Sequence, residues 1–127
     1  MEESMRQVWI VDDDDEMSHA VKLMLQLLDS TVEIFRDARS AAKRLLAGER
    51  PELIVLDINM PEVSGIDFLE FLRMRSELKE IPVVMLSSET TDIQVDEAMR
   101  IGANAFVFKP VTIEELEEAI HIALPNN

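Results

Sequence analysis

The chain has 127 residues, of which 47% are hydrophobic and 30% are charged, and this balance is typical of a folded domain rather than a disordered segment. Its 26 acidic and 12 basic residues give a net charge of −14, which disfavours direct binding to nucleic acid or to anionic membranes. Cysteine is absent, which excludes disulfides and thiolate metal sites, and neither a membrane-spanning run nor a signal peptide can be recognised. We therefore expect a cytoplasmic protein.

The sequence alternates five times between an apolar, β-rich run and a helical pattern. We predict strands at residues 7–12, 32–35, 53–57, 82–87 and 105–109. The helices are predicted at residues 15–28, 40–47, 65–78, 91–101 and 113–124. Strict alternation with short connections predicts an α/β fold, a doubly wound parallel sheet built from right-handed crossovers. We expect one domain over residues 1–127, with an ordered core at about 6–124.

The first predicted helix carries more apolar residues than one core face needs. One stripe holds Met17, Val21 and Met24, and beside it runs a second stripe of Ala20, Leu23 and Leu27. The second stripe fits either a wide core face or a surface for a partner, and the sequence leaves both open.

Polar side chains stand at the carboxyl ends of four predicted strands, where open α/β sheets bind their ligands. These residues are Asp12 and Asp13, Asp57, Ser87, and Lys109. Unpaired carboxylates this close repel one another, and Mg²⁺ relieves that repulsion because it prefers oxygen ligands. Neither histidine nor cysteine is near them in the sequence, which argues against zinc. A carboxylate beside Mg²⁺ and a lysine suits phosphoryl transfer, with Asp57 as the natural nucleophile.

Each of these residues also has a simpler interpretation. The acids at 12–15 fit the N-terminus of a helix, and Asp57 before Pro61 fits a turn. Ser87 fits a helix cap, and Lys109 fits a charge that reaches from a strand end into water. The coincidence of all of them at strand ends favours a site.

Four segments match a known family in order and are distributed over most of the chain, from Val8 to Pro110. They are VWIVDDDDE, LIVLDINMPEVSGIDFL, VVMLSS and GANAFVFKP. With them the chain resembles a response-regulator receiver domain of bacterial two-component signalling, similar in length to the single-domain chemotaxis type. The resemblance implies a flavodoxin-like fold, with a five-stranded parallel sheet of order 2-1-3-4-5 flanked by five helices.

The resemblance also implies a phosphoacceptor. Asp57 would take a phosphoryl group from a phosphohistidine on a sensor histidine kinase or a histidine phosphotransfer protein. Asp12, Asp13, Asp57 and the backbone carbonyl of Asn59 would hold Mg²⁺, and Lys109 would pair with phosphoryl oxygens. Such a module catalyses only its own phosphorylation and dephosphorylation. The sequence does not identify the output partner or an attached output domain.

A switch follows from the same resemblance. The hydroxyl of Ser87 would move to the phosphoryl group and Phe106, where the family frequently has Tyr, would turn inward. Pro110 would follow Lys109 through a cis peptide. Asn59 and Glu89 stand at variable positions where the family tunes the lifetime of the phosphoryl group.

Three other classes remain as alternatives. A scaffolding pseudo-receiver would bind partners without phosphorylation, but such proteins usually lack one of the site residues that are intact here. A Mg²⁺-dependent phosphohydrolase of the haloacid-dehalogenase type would need a second acid two residues after the nucleophile, where this chain has Asn59. A flavodoxin would need a loop rich in Ser and Thr after the first strand, where this chain has acids.

Overall fold

Five parallel strands form one sheet of order β2-β1-β3-β4-β5, as the resemblance implied. The structure is a computed structural model that describes residues 5–88 and 92–125. The strands are β1 Arg6–Val11, β2 Ser30–Phe35, β3 Leu53–Asp57, β4 Val83–Ser87 and β5 Ala105–Phe108. The helices are α1 Asp15–Leu27, α2 Ala38–Leu46, α3 Gly65–Met74, α4 Asp92–Ile101 and α5 Ile113–Ala123.

Helices cover both faces of the sheet, so the central strands β3 and β4 are buried along their whole length. Alternate residues of β1 point to opposite faces. Trp9 packs in the layer under α2, α3 and α4, whereas Ile10 packs in the layer under α1 and α5. The two apolar layers hold the carboxyl ends of β1, β3, β4 and β5 at one edge of the molecule.

The predicted and observed element bounds agree to within two residues, with one exception and one bound that cannot be compared. The exception is the end of α3, which stops at Met74 because Arg75 adopts an extended backbone with φ −107° and ψ 128°. Leu78 stays buried in the turn that follows, which explains why its apolar character extended the predicted helix. Thr91, the predicted start of α4, lies outside the described residues, as does Glu89.

Side-chain caps set the starts of four helices, and at α3 the cap is Ser64, which accepts from Asp67 N. Asp37 accepts a hydrogen bond from Ser40 N at 2.7 Å, so α2 starts at Ala38 and the predicted start at Ser40 was two residues late. Asp14 caps α1 in the same way and accepts from Met17 N. Thr112 caps α5 and accepts from Glu115 N at 3.2 Å. Within the part of the chain that the structure describes, no helix has the length and apolar character needed to span a bilayer.

Candidate functional site

Four strand ends bring the predicted site residues to one edge of the sheet. Asp57 is the last residue of β3, and Ser87 is the last residue of β4. Asp12 and Lys109 were predicted as the last residues of their strands but come one position later. Both still continue the backbone pairing, because Asp12 N donates to Phe35 O at 3.0 Å and Lys109 N donates to Ser87 O at 2.8 Å. Their side chains are therefore as well placed as those of strand residues.

One lysine bridges two buried carboxylates at this edge. Lys109 Nζ lies 3.3 Å from Asp12 Oδ2 and 3.3 Å from Asp57 Oδ1. Asp12 and Ser87 are fully buried, and Asp57 is 3% exposed. Among the described residues, Asp12 Oδ2 and Asp57 Oδ1 have no hydrogen-bond partner of suitable geometry beyond this ion pair. Buried charges require compensation, and Lys109 supplies it to both carboxylates.

The carboxylates offer a cation three oxygen ligands. One oxygen from each of Asp12, Asp13 and Asp57 lies within 4.8 Å of the other two. Asp14 N donates to Asp12 Oδ1 at 3.0 Å, which orients the carboxyl group, while Oδ2 faces Lys109. A hard, oxygen-preferring ion such as Mg²⁺ fits this donor set, and the buried oxygens without hydrogen bonds give it a place.

The surroundings of the site raise the pKa values of both Asp57 and Lys109. Burial, followed by repulsion from Asp12, raises the pKa of Asp57 to about 6, and attraction by Lys109 offsets part of that rise. Burial alone would lower the pKa of Lys109, but the attraction of Asp57 and Asp12 outweighs it and raises that pKa. Asp57 is therefore mostly ionised at neutral pH, and Lys109 stays charged.

The raised pKa of Asp57 predicts a pH-dependent stability penalty in the metal-free protein. The folded value of about 6 lies above the ordinary 3.8, so the folded state binds the extra proton between these pH values. The contribution of Asp57 to stability therefore falls as pH rises from about 4 to 6, by at most about 3 kcal/mol. We expect the free energy of unfolding of Asp57→Asn, relative to that of the wild type, to increase as pH rises from 5 to 7. Urea unfolding in the presence of EDTA measures this difference. A constant difference between the two proteins across that range would contradict this prediction.

The remaining predicted residues lie in β5 and in the loops that follow β3 and β5. The peptide between Lys109 and Pro110 is cis, as expected. Asn59 is exposed in the loop after β3. Phe106 lies within β5, outside the carboxylate cluster, where it is 39% exposed and contacts Phe108 edge-on with ring centroids 5.2 Å apart.

Sequence reasoning missed one residue next to the site. Gln94 of α4 donates from Nε2 to Asn59 Oδ1 at 3.4 Å. The two residues are 35 positions apart, and nothing in the local pattern of α4 distinguishes a glutamine that reaches the β3–α3 loop from an ordinary surface residue.

Comparisons with known proteins agree with this geometry. The family model described as a response regulator receiver domain matches residues 8–121. The chemotaxis protein CheY of Pseudomonas aeruginosa is 35% identical over 113 residues, which cover 89% of this chain and 91% of that protein. Chemotaxis protein CheY1 of Helicobacter pylori is 31% identical over 120 residues, covering 93% and 96%. The solved structure of CheY4 from Vibrio cholerae is similar with a TM-score of 0.84 and 31% identity, covering 94% of this chain and 98% of that one.

Proposed function

The chain belongs to the family of response-regulator receiver domains, and from that premise we propose that it is a phosphoacceptor whose Asp57 is phosphorylated by a sensor histidine kinase or a histidine phosphotransfer protein. The observation that supports this most is the placement of Asp57 at the end of a central strand, ion-paired with Lys109 beside two further carboxylates. The family membership makes the chain a receiver domain of two-component signalling. The identity of the phosphorylated residue is what we propose.

Each residue of the cluster has a role in this reaction. An oxygen of Asp57 attacks the phosphorus atom, and the bond from phosphorus to the histidine nitrogen of the donor breaks. Lys109, which forms an ion pair with the free carboxylate of Asp57, would then pair with the phosphoryl oxygens. The hydroxyl of Ser87 would donate a hydrogen bond to the same oxygens. Asp12, Asp13, Asp57 and the carbonyl of Asn59 would hold Mg²⁺. When bound, the ion neutralises charge on the transferring group.

Two surfaces suit the partners of such a module. Leu23 and Leu27 of α1 are 63% and 75% exposed, so the second apolar stripe is not part of the core and is the proposed docking face for the kinase or phosphotransfer protein. On the output side, Phe106, Phe108 and Ile122 line a groove of about 210 Å³ between β5 and α5. Inward rotation of Phe106 on phosphorylation would change the shape of this groove and so switch the output.

Several finer expectations stay predictions. They are the single-domain organisation over residues 1–127, a cytoplasmic location, the absence of direct nucleic-acid binding, and catalysis limited to the domain's own phosphorylation and dephosphorylation.

Intact mass after incubation with acetyl phosphate tests the proposal. We expect the wild type to gain one phosphoryl group only when Mg²⁺ is present. Asp57→Asn should gain none, because an amide oxygen is a poor nucleophile and a poor cation ligand. Asp67→Asn, a control that removes an exposed carboxylate from α3, should label like the wild type.

The opposite result would change the functional class. No adduct in the wild type, even after rapid quenching, would favour the pseudo-receiver that binds partners without phosphorylation. Labelling that persists in Asp57→Asn would place the phosphoacceptor elsewhere.

A further inference from the structure

A side-chain pair joins α4 to the loop that follows the proposed phosphoacceptor. Gln94 Nε2 donates to Asn59 Oδ1 at 3.4 Å. The other polar atom of the same amide, Gln94 Oε1, is buried and has no hydrogen-bond partner within residues 5–88 and 92–125. A buried acceptor without a partner is costly, and a water molecule that donates a hydrogen bond to it would remove that cost.

Hydrolysis of a phosphoryl group on Asp57 would need a water molecule held in line with the bond that breaks. Such a water molecule could also be the hydrogen-bond donor to Gln94 Oε1. Asn59 is two residues after Asp57 in the chain. Because its Oδ1 is engaged by Gln94, the Nδ2 donor is the end of the Asn59 amide left for other partners. The pair thus offers a donor, Asn59 Nδ2, and a buried acceptor, Gln94 Oε1, on two joined amides, and Asn59 is two residues along the chain from Asp57. A donor and an acceptor on adjacent amides can together orient a water molecule.

We infer that Gln94 is a positioning residue for the hydrolysis of the phosphoryl group on Asp57 and that it shortens the lifetime of the phosphorylated state. This inference rests on the proposed function. The water oxygen attacks phosphorus, the bond from phosphorus to the Asp57 oxygen breaks, and Asp57 leaves as a carboxylate. The protons of the water end on inorganic phosphate, and the amide of Gln94 accepts a hydrogen bond without taking a proton.

A purely structural role for Gln94 fits the contacts of α4 less well. The C-terminal end of this helix is held by Arg73, which donates from Nε to Gly102 O at 3.0 Å and from Nη2 to Asn104 Oδ1 at 3.1 Å. Asn104 Oδ1 also accepts from Val83 N at 2.8 Å, which ties this end of α4 to the sheet. The single, longer hydrogen bond of Gln94 contributes little to this anchoring.

The test separates the loss of the phosphoryl group from its uptake. Wild type and Gln94→Met are labelled with acetyl phosphate and Mg²⁺, desalted rapidly, and followed by intact mass over time. We expect the adduct of Gln94→Met to decay about fivefold more slowly, as the loss of one orienting hydrogen bond implies. Uptake rate, Mg²⁺ affinity by calorimetry and melting temperature should stay unchanged. Gln26→Met on α1, a control that makes the same chemical change on an exposed helix face, should decay like the wild type.

A second background tests whether the two amides act together. In an Asn59→Ala protein, Gln94→Met should slow the decay by much less than fivefold, because the pair is already broken. Any of three results would overturn the inference. The first is equal slowing in both backgrounds, and the second is unchanged decay in Gln94→Met. The third is a change of uptake rate and Mg²⁺ affinity that accompanies the change in decay. Gln94→Ala repeats the measurement with a smaller side chain in case the methionine perturbs the packing of α4. Failure of the wild type to label at all refutes the proposed function itself, whereas a labelled wild type with unchanged Gln94→Met decay refutes only the role of Gln94.

Discussion

Gly65→Ala is expected to destabilise the protein by about 3 kcal/mol or more, although it adds only one methyl group. Gly65 is the first residue of α3, and a Cβ there would overlap the backbone carbonyl oxygen of Asp57 and lie 2.8 Å from Ile58 Cα. Backbone atoms at a strand end cannot move aside as a flexible side chain can, so α3 must shift away from β3. Thermal unfolding should show a melting temperature lower by about 10 °C. The same shift would displace Asp57, so we also expect slower labelling by acetyl phosphate.

Gly48→Ala is the control, since the added Cβ there strains the backbone but does not overlap any neighbouring atom. Gly48 has φ 106°, and no atom lies within 4 Å of the position a Cβ would take. Its replacement should cost about 1 kcal/mol through backbone conformation alone and leave labelling unchanged. If Gly65→Ala cost no more than Gly48→Ala, the close approach of α3 to the end of β3 would not be a constraint on this fold.

The architecture could be predicted from the sequence because it depends on patterns that repeat locally. A strand buried on both faces has to be almost wholly apolar, and β3 and β4 are. The positions of Asp12, Asp57 and Lys109 at a common edge then follow from the parallel arrangement of the strands, without knowledge of any side-chain contact. The order of the strands came only from the resemblance, since alternation alone fits several orders.

The details that were missed depend on single backbone conformations or on contacts between distant residues. The helix α2 was predicted to start at Ser40, whereas Asp37 caps it and the helix starts at Ala38. The extended backbone of Arg75 ends α3 although the apolar periodicity continues to Leu78. The hydrogen bond from Gln94 to Asn59 depends on the exact approach of α4 to a loop, which no local pattern encodes.

Lys109→Met is expected to lower the free energy of unfolding of the metal-free protein by about 3 kcal/mol at pH 7. Within the described parts of the chain, Lys109 is the one cation within ion-pair distance of Asp12 and Asp57. Its removal leaves two buried carboxylates that repel each other, and methionine keeps most of the volume, so lost packing contributes little. The attraction of Lys109 also lowers the pKa of Asp57, so the pKa in the variant will lie above the wild-type value of about 6. Urea unfolding with EDTA at pH 7 measures the deficit, and Lys79→Met, at an exposed position, is the matched control.

The pH and metal dependence of Lys109→Met identify the cause of the deficit. A folded pKa of Asp57 above its unfolded value means that the folded state takes up a proton as pH falls, so the deficit should shrink between pH 7 and pH 5. Saturating Mg²⁺ should shrink it as well, since a cation then compensates the same carboxylates. A variant more stable than the wild type at pH 7 without metal would mean that the cost of burying the lysine exceeds its attraction to the acids. In that case the lysine would be retained for the phosphoryl group alone, and labelling by acetyl phosphate would be impaired in a protein that folds better.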